Sequence, residues 1–263
     1  MDHRSERNRR HDKDRVDLNA RLDHDALVRL EEIGDLHFEA SAFSSALDYY
    51  QRLLDATREM ADDPGHGLRV LVKCIDASLN VGDLAFAEEL LHRAFKLFEQ
   101  ITENDPQDRQ RLLAPILGRQ ASLFTQRSAY RDALRVAKHA FAVLAVTDDH
   151  REVANLQVTM GVCHHRLGRL DKAEEFYMDA LATFRRINDD LGMAILHSNL
   201  ANLRKNACLW DQALDEQRKS IKLANAHGAT HLLARLYLNE GIILRKSERH
   251  GEARASLGKC LRL

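Results

Sequence analysis

The chain has 263 residues, 44% hydrophobic and 30% charged, with a formal net charge of −1, 4 cysteines and 3 prolines. This suffices for a sizeable core, while no apolar run approaches the ~18 residues needed to span a bilayer. Residues 1–16 hold 6 Lys and Arg against 4 Asp and Glu with essentially no apolar stretch, so no secretory signal is expected there.

That head, 1–16, reads as a charged, disordered segment, and 17–263 as a single array of repeats. Ala46, Ala87, Ala133, Ala173, Ala213 and Ala253 recur at steps of 41, 46, 40, 40 and 40 residues. Twelve residues before them stand Gly34, Ile75, Ala121, Gly161, Ala201 and Gly241, small in five cases, as two closely approaching helices require. Three before stand Phe43, Leu84, Tyr130, Leu170 and Trp210, with His250 as the exception. Four after come Tyr50, Leu91, Ala137, Tyr177, Gln217 and Leu257, and seven after Leu53, Ala94, Ala140, Ala180, Ser220 and Cys260. Offsets of 3, 4 and 7 define one helix face. A period of this length predicts a stacked array, an architecture that binds macromolecules over an extended surface.

With this register the chain resembles the tetratricopeptide repeat family. Met160-Gly161, Leu167-Gly168-Arg169-Leu170-Asp171-Lys172-Ala173, Tyr177 and Ala180 of the fourth repeat match its motif best. The resemblance implies an all-α, right-handed superhelical solenoid of six helix-turn-helix repeats, at 27–60, 68–101, 114–147, 154–187, 194–227 and 234–263. The usual period is about 34 residues, so a 40-residue step predicts about one extra turn per helix. Long repeats of this kind are found in kinesin light chains, polarity adaptors and bacterial quorum-sensing regulators.

The 46-residue step holds Thr102-Glu103-Asn104-Asp105-Pro106-Gln107-Asp108 and reads as a long loop between repeats. With few prolines, helix ends are expected at Gly65 and Gly67, Asp148-Asp149, Asn188-Asp189-Asp190 and Gly228; the paired acids read as N-terminal caps. Cys74, Cys163, Cys208 and Cys260 occupy four different repeats and read as small core or interface residues. Cys163-His164-His165 fan out by about 100° each on a helix and cannot converge on one ion, so no metal is expected. His164 should be a packed ring, and His165 should face the groove. Glu88 and Glu89, one turn before His92, are a pairing that helix surfaces produce by chance. With neither a phosphate-binding glycine loop nor a nucleophile elbow, no enzyme activity and no cofactor are expected.

The resemblance also places the concave face on the first helix of each repeat. Its polar members include Glu31, Asp35 and Glu39; Arg69, Asp76 and Asn80; Ser122, Thr125 and Gln126; Asn155, His165 and Arg166; Ser198, Asn202, Lys205 and Asn206; and Arg235, Arg245 and Lys246. These run from acidic to basic, as the chain does: residues 17–104 carry 8 Lys and Arg against 18 Asp and Glu, and residues 195–263 carry 12 against 6. Arg166, Lys205, Arg245 and Lys246 form a ladder suited to the carboxylates of an extended or helical peptide, with Asn202 and Asn206 bonding its backbone. A chaperone-type carboxylate clamp over Ser198, Asn202 and Asn239 lacks its leading lysine. With few aromatics beyond Trp210 and Tyr237 at the basic end, nucleic acid is not the expected ligand.

Ala253, Leu257 and Leu261 should form an uncapped face on the last helix, covered by further chain or by a second copy in a homo-oligomer. The expected function is therefore a cytoplasmic protein-protein interaction module, an adaptor or scaffold holding a peptide or helical segment of a partner. The alternative is a sensory or regulatory domain of a bacterial signalling or transcription-regulating protein that controls an output domain.

Overall fold

The computed structural model describes residues 24–57, 63–102, 106–144 and 149–263; the charged head and Asp148 lie outside them. Twelve α-helices follow in pairs: α1 (His24–Glu39) and α2 (Phe43–Thr57), α3 (Pro64–Val81) and α4 (Leu84–Gln100), α5 (Pro106–Gln126) and α6 (Tyr130–Leu144). The second half contains α7 (His150–Arg166) and α8 (Leu170–Arg186), α9 (Asp190–Asn206) and α10 (Trp210–Ala226), α11 (Thr230–Lys246) and α12 (His250–Cys260). Each helix packs on the next, and α3, α5 and α7 also stack on one another, the arrangement of a solenoid.

The 40-residue period has a simple origin. Helices α7 to α11 are each 17 residues long, and the residues left between them, such as 167–169 and 187–189, make tight turns. The length beyond the usual repeat is therefore helical. Each of the five turns from α7 to α12 has one residue in the left-handed region: Gly168, Asn188, Cys208, Gly228 and Glu248. Gly168 N–H donates to His165 O at 3.0 Å and Arg169 N–H to His164 O at 2.9 Å, so the turn closes off the last carbonyls of α7. The next helix starts on an aspartate where one is present: Asp83, Asp149 and Asp189 each accept from the backbone N–H three residues on, at 2.9–3.0 Å. Asp149 and Asp189 thus cap helices as expected.

Gly65 and Gly67 differ from expectation, since both lie within the first turn of α3. Asp63 ends the preceding segment instead, accepting from His66 N–H at 2.9 Å, with Pro64 at the helix start, where the missing N–H costs nothing. Of the expected long loop, residues 103–105 lie outside the described residues and the part from Pro106 onward is helix. Pro106 opens α5, which runs for 21 residues, so most of the extra length has become helix. Arg109 fastens this junction by donating to Ile101 O at 2.6 Å and lying 4.5 Å from the Phe98 ring centroid.

The alanine ladder is the seam between the two helices of each repeat, and all six alanines are buried. The small residue twelve positions earlier faces the residue four positions later. A Cβ on Gly34 would come within 2.5 Å of the Tyr50 ring, one on Gly161 within 2.5 Å of Tyr177, and one on Gly241 within 2.7 Å of Leu257. Repeat three solves the same contact with Ala121 and Ala137, both buried.

Two further expectations change. Ala253 and Leu257 point into their own repeat against α11, while Leu261, at 87% exposure, lies beyond the end of α12; they do not form one outward face. Cys74 and Cys163 are buried, but Cys208 is exposed on a turn and Cys260 is half-buried; all four are free thiols.

Repeats one and six meet although they are far apart in sequence. Ser41 Oγ, in the α1–α2 turn, shares a hydrogen bond of 3.0 Å with His231 Nε2 at the start of α11. The edge of the His231 ring meets Phe43 at 5.8 Å and 90°. The solenoid therefore completes a superhelical turn in which one edge of the first repeat touches the opposite edge of the last.

Candidate interaction groove

The first helices stack on one another along the chain, which is the face read from the sequence as concave, and the acidic end of that face is partly neutralised from within. Lys73 Nζ on α3 donates to Glu31 at 2.8 Å and to both oxygens of Asp35 at 2.7 Å, and Tyr50 O–H donates to Asp35 at 2.7 Å. Arg119 on α5 embraces Asp76 in a bidentate pair at 2.8 and 2.9 Å and also pairs with Glu152 on α7. Arg119 is in a buried three-charge cluster. Burial alone would lower its pKa, but the two carboxylates raise it above the usual range. Burial also raises the Glu152 carboxyl, against the pull of Arg119.

These cations were missed because they stand outside the positions read as groove-lining. A usable signal exists: Lys73 and Arg119 both lie fourteen residues before a ladder alanine, Asp35 and Asp76 eleven before the preceding one. Successive repeats bring those two positions together, so a cation at one and an acid at the other predicts an ion pair between repeats.

The middle of the face is occupied by its own hydrogen bonds. Asn80 Nδ2 donates to Asp76 O at 2.8 Å and Gln126 Nε2 to Leu79 O at 3.2 Å. His164 is buried and stacks on Phe176 at 5.4 Å and 8°, as a packed ring should. Glu39 and Asn155 are exposed.

The C-terminal half is different. Asn206 Nδ2 donates to His165 Nε2 at 2.7 Å, consistent with a neutral ring whose pKa is lowered by burial and by Arg166 and Lys205. Lys205 donates to Asn202 Oδ1 at 2.6 Å, and burial followed by repulsion from Lys246 and Arg166 lowers its pKa. Lys205, Lys246 and Arg166 therefore share one field, each from a different repeat. Among the described residues none of the three, nor Arg235 or Arg245, has a carboxylate within ion-pair distance. Burial also lowers the pKa of Arg235. Ser198 belongs to the wall: its hydroxyl donates to Gln217 Oε1 and accepts from Asn239 Nδ2, both at 3.3 Å, which removes two members of the clamp considered above.

Along this face, charge thus runs from an N-terminal half whose acids Glu31, Asp35 and Asp76 are paired to a basic C-terminal half without carboxylate partners among the described residues. No group of three or more His, Cys, Asp and Glu among the described residues could hold a metal. No described helix is long and apolar enough to cross a membrane.

Such a solenoid of paired helices with a polar concave face defines a class of helical-repeat proteins. The tetratricopeptide repeat model matches residues 112–186 and 192–263, more than half of the chain, and the protein belongs to that family. No curated protein matches the chain. Among solved structures it is similar to BtubC (BKLC) from P. vanneervenii, at 19% identity and a TM-score of 0.60, over 86% of this chain and 90% of that one. It is similar to a Rap protein complexed with competence and sporulation factor, at 17% identity and a TM-score of 0.74, over 88% of this chain and 61% of that one. It also resembles Bacillus thuringiensis PlcR in complex with the peptide PapR7 and DNA, at 9% identity and a TM-score of 0.64, over 81% and 75%. At these identities the likeness concerns the fold.

Proposed function

We propose that this chain is a protein-protein interaction module, an adaptor or scaffold rather than an enzyme, that holds a peptide or helical segment of a partner in its concave groove. Acidic side chains of that ligand meet Arg166, Lys205 and Lys246. The observation that carries the reading is this row of three cations, one per repeat, without carboxylate partners among the described residues, while Glu31, Asp35 and Asp76 at the other end are paired with Lys73 and Arg119. Concentrating like charge costs stability unless an anion offsets it. Asn202 bonds the ligand backbone through Nδ2 and Asn206 through Oδ1, the amide atoms not engaged with Lys205 and His165. A cytoplasmic location suits the free thiols.

A second reading is a sensory or regulatory domain of a bacterial signalling or transcription-regulating protein. It is favoured by the likeness to a Rap protein complexed with a factor and to PlcR complexed with a peptide.

An array of acidic peptides would screen for the ligand, with decaglutamate as a minimal probe for calorimetry. The Lys205→Glu/Lys246→Glu protein should bind it at least roughly tenfold more weakly at low salt, with a flatter dependence on ionic strength. Unchanged affinity in the double variant would refute the basic row as the binding element.

A further inference from the structure

The contact between Ser41, Phe43 and His231 bears on how a ligand reaches the groove, and the argument rests on the groove reading above. In every repeat the turn between first and second helix lies at one edge of the solenoid ribbon, and the start of the first helix lies at the other. Ser41 and Phe43 belong to the first kind of edge, His231 to the second. Their hydrogen bond and ring contact therefore join opposite edges one superhelical turn apart, across 190 residues of sequence. With neighbouring repeats already in continuous contact, this junction closes the lateral opening of the groove and leaves access along the superhelix axis.

The charges inside fit an enclosed space. Arg235, one turn along α11 from His231, is exposed to solvent, yet surrounding protein lowers its pKa, as it does that of half-buried Lys205. A side chain that water touches but protein surrounds fits the wall of an enclosed groove.

We propose that the Ser41–His231–Phe43 contact is a clasp that converts the groove into a channel entered along its axis, so that the ligand is a peptide with a free end. A segment anchored at both ends inside a folded partner cannot thread such a channel and has to wait for the clasp to open. One hydrogen bond and one edge-on ring contact favour the closed form by roughly tenfold. That is enough to discriminate between ligands without sealing the groove.

The test compares fluorescein-labelled decaglutamate with the same ten residues inserted in a surface loop of a stable carrier protein. The unmodified protein should bind the free peptide about tenfold more tightly than the loop. His231→Ala removes an exposed side chain outside the basic row and should narrow the ratio to about twofold by improving loop binding. Ser41→Cys/His231→Cys, made with Cys208→Ser and Cys260→Ser and bridged by a short bis-maleimide, should keep the free peptide and lose the loop. Equal affinity for both probes in the unmodified protein would overturn the clasp while leaving the groove reading intact. If neither probe binds, the acidic-ligand reading falls, and bridging still decides the clasp. Efficient intramolecular bridging supports it, and failure to bridge overturns it.

Discussion

Arg119 shows how one side chain can organise three repeats. Its guanidinium joins Asp76 of the second repeat to Glu152 of the fourth, and only 17% of the side chain is exposed. Removing one partner of a buried pair leaves charge without compensation, at a cost of about 3–5 kcal/mol. Arg119→Met should therefore lower stability to urea by about 3 kcal/mol at neutral pH. Glu152→Gln should cost much less, because Arg119 keeps its bidentate pair with Asp76 and stays charge-compensated. A second residue-scale prediction concerns Glu216, which sits 2.6 Å from His197 Nδ1. The His197 hydrogen bond, outweighing burial, holds its carboxyl at about 2. A carboxyl lowered on folding stabilises above its unfolded value, and that contribution is lost as pH falls. Glu216→Gln should therefore destabilise by about 1–3 kcal/mol at pH 6. The difference from the unmodified protein should disappear between about pH 4.5 and pH 2 in denaturation measured across that range.

At the scale of the element, the helix pair depends on a match between a small residue and a large one. Gly161→Ala puts a methyl group 2.5 Å from the Tyr177 ring. Overpacking of this kind costs about 1–3 kcal/mol, and the gain in helix propensity, about 1 kcal/mol, offsets part of it. Thermal denaturation should show Gly161→Ala as destabilised. Gly161→Ala/Tyr177→Ala should be less destabilised than the sum of its single changes, because Ala121 and Ala137 already fill these two positions in the third repeat. The helix pair was legible in sequence because size alone encodes it: a small residue, a large residue and a fixed offset. The ion pairs joining repeats were not, since Lys73 and Arg119 meet Asp35 and Asp76 through the rotation of one repeat on the next, a quantity no single repeat specifies. The long loop was misread for a related reason. Pro106 marks a boundary, but proline begins a helix as readily as it ends one.

At the scale of the whole molecule, charge is partitioned by pairing as well as by composition. The sequence shows an acidic half and a basic half, yet the structure pairs Glu31, Asp35 and Asp76 with Lys73 and Arg119 and leaves Arg166, Lys205 and Lys246 without a carboxylate partner among the described residues. That distinction was beyond a tally of charges, because Arg119 counts towards the middle of the chain and acts on Asp76 in the first half. The contact of Ser41 with His231 was equally illegible, since it depends on how far five successive rotations carry the ribbon.

That contact also affects the order in which structure forms. Hydrogen bonds between adjacent repeats, such as Gln126 to Leu79, close loops of 47 residues, whereas Ser41 to His231 closes one of 190. Loop-closure entropy grows with length, and rates fall as contacts become less local. The end-to-end junction should therefore be the last feature to assemble and the first to open. Hydrogen exchange in the native protein should show the backbone around Ala42 and the start of α11 opening far more often than the seams at Ala133 and Ala173. Equal protection at both would mean that the ring closes as one cooperative unit with the repeats.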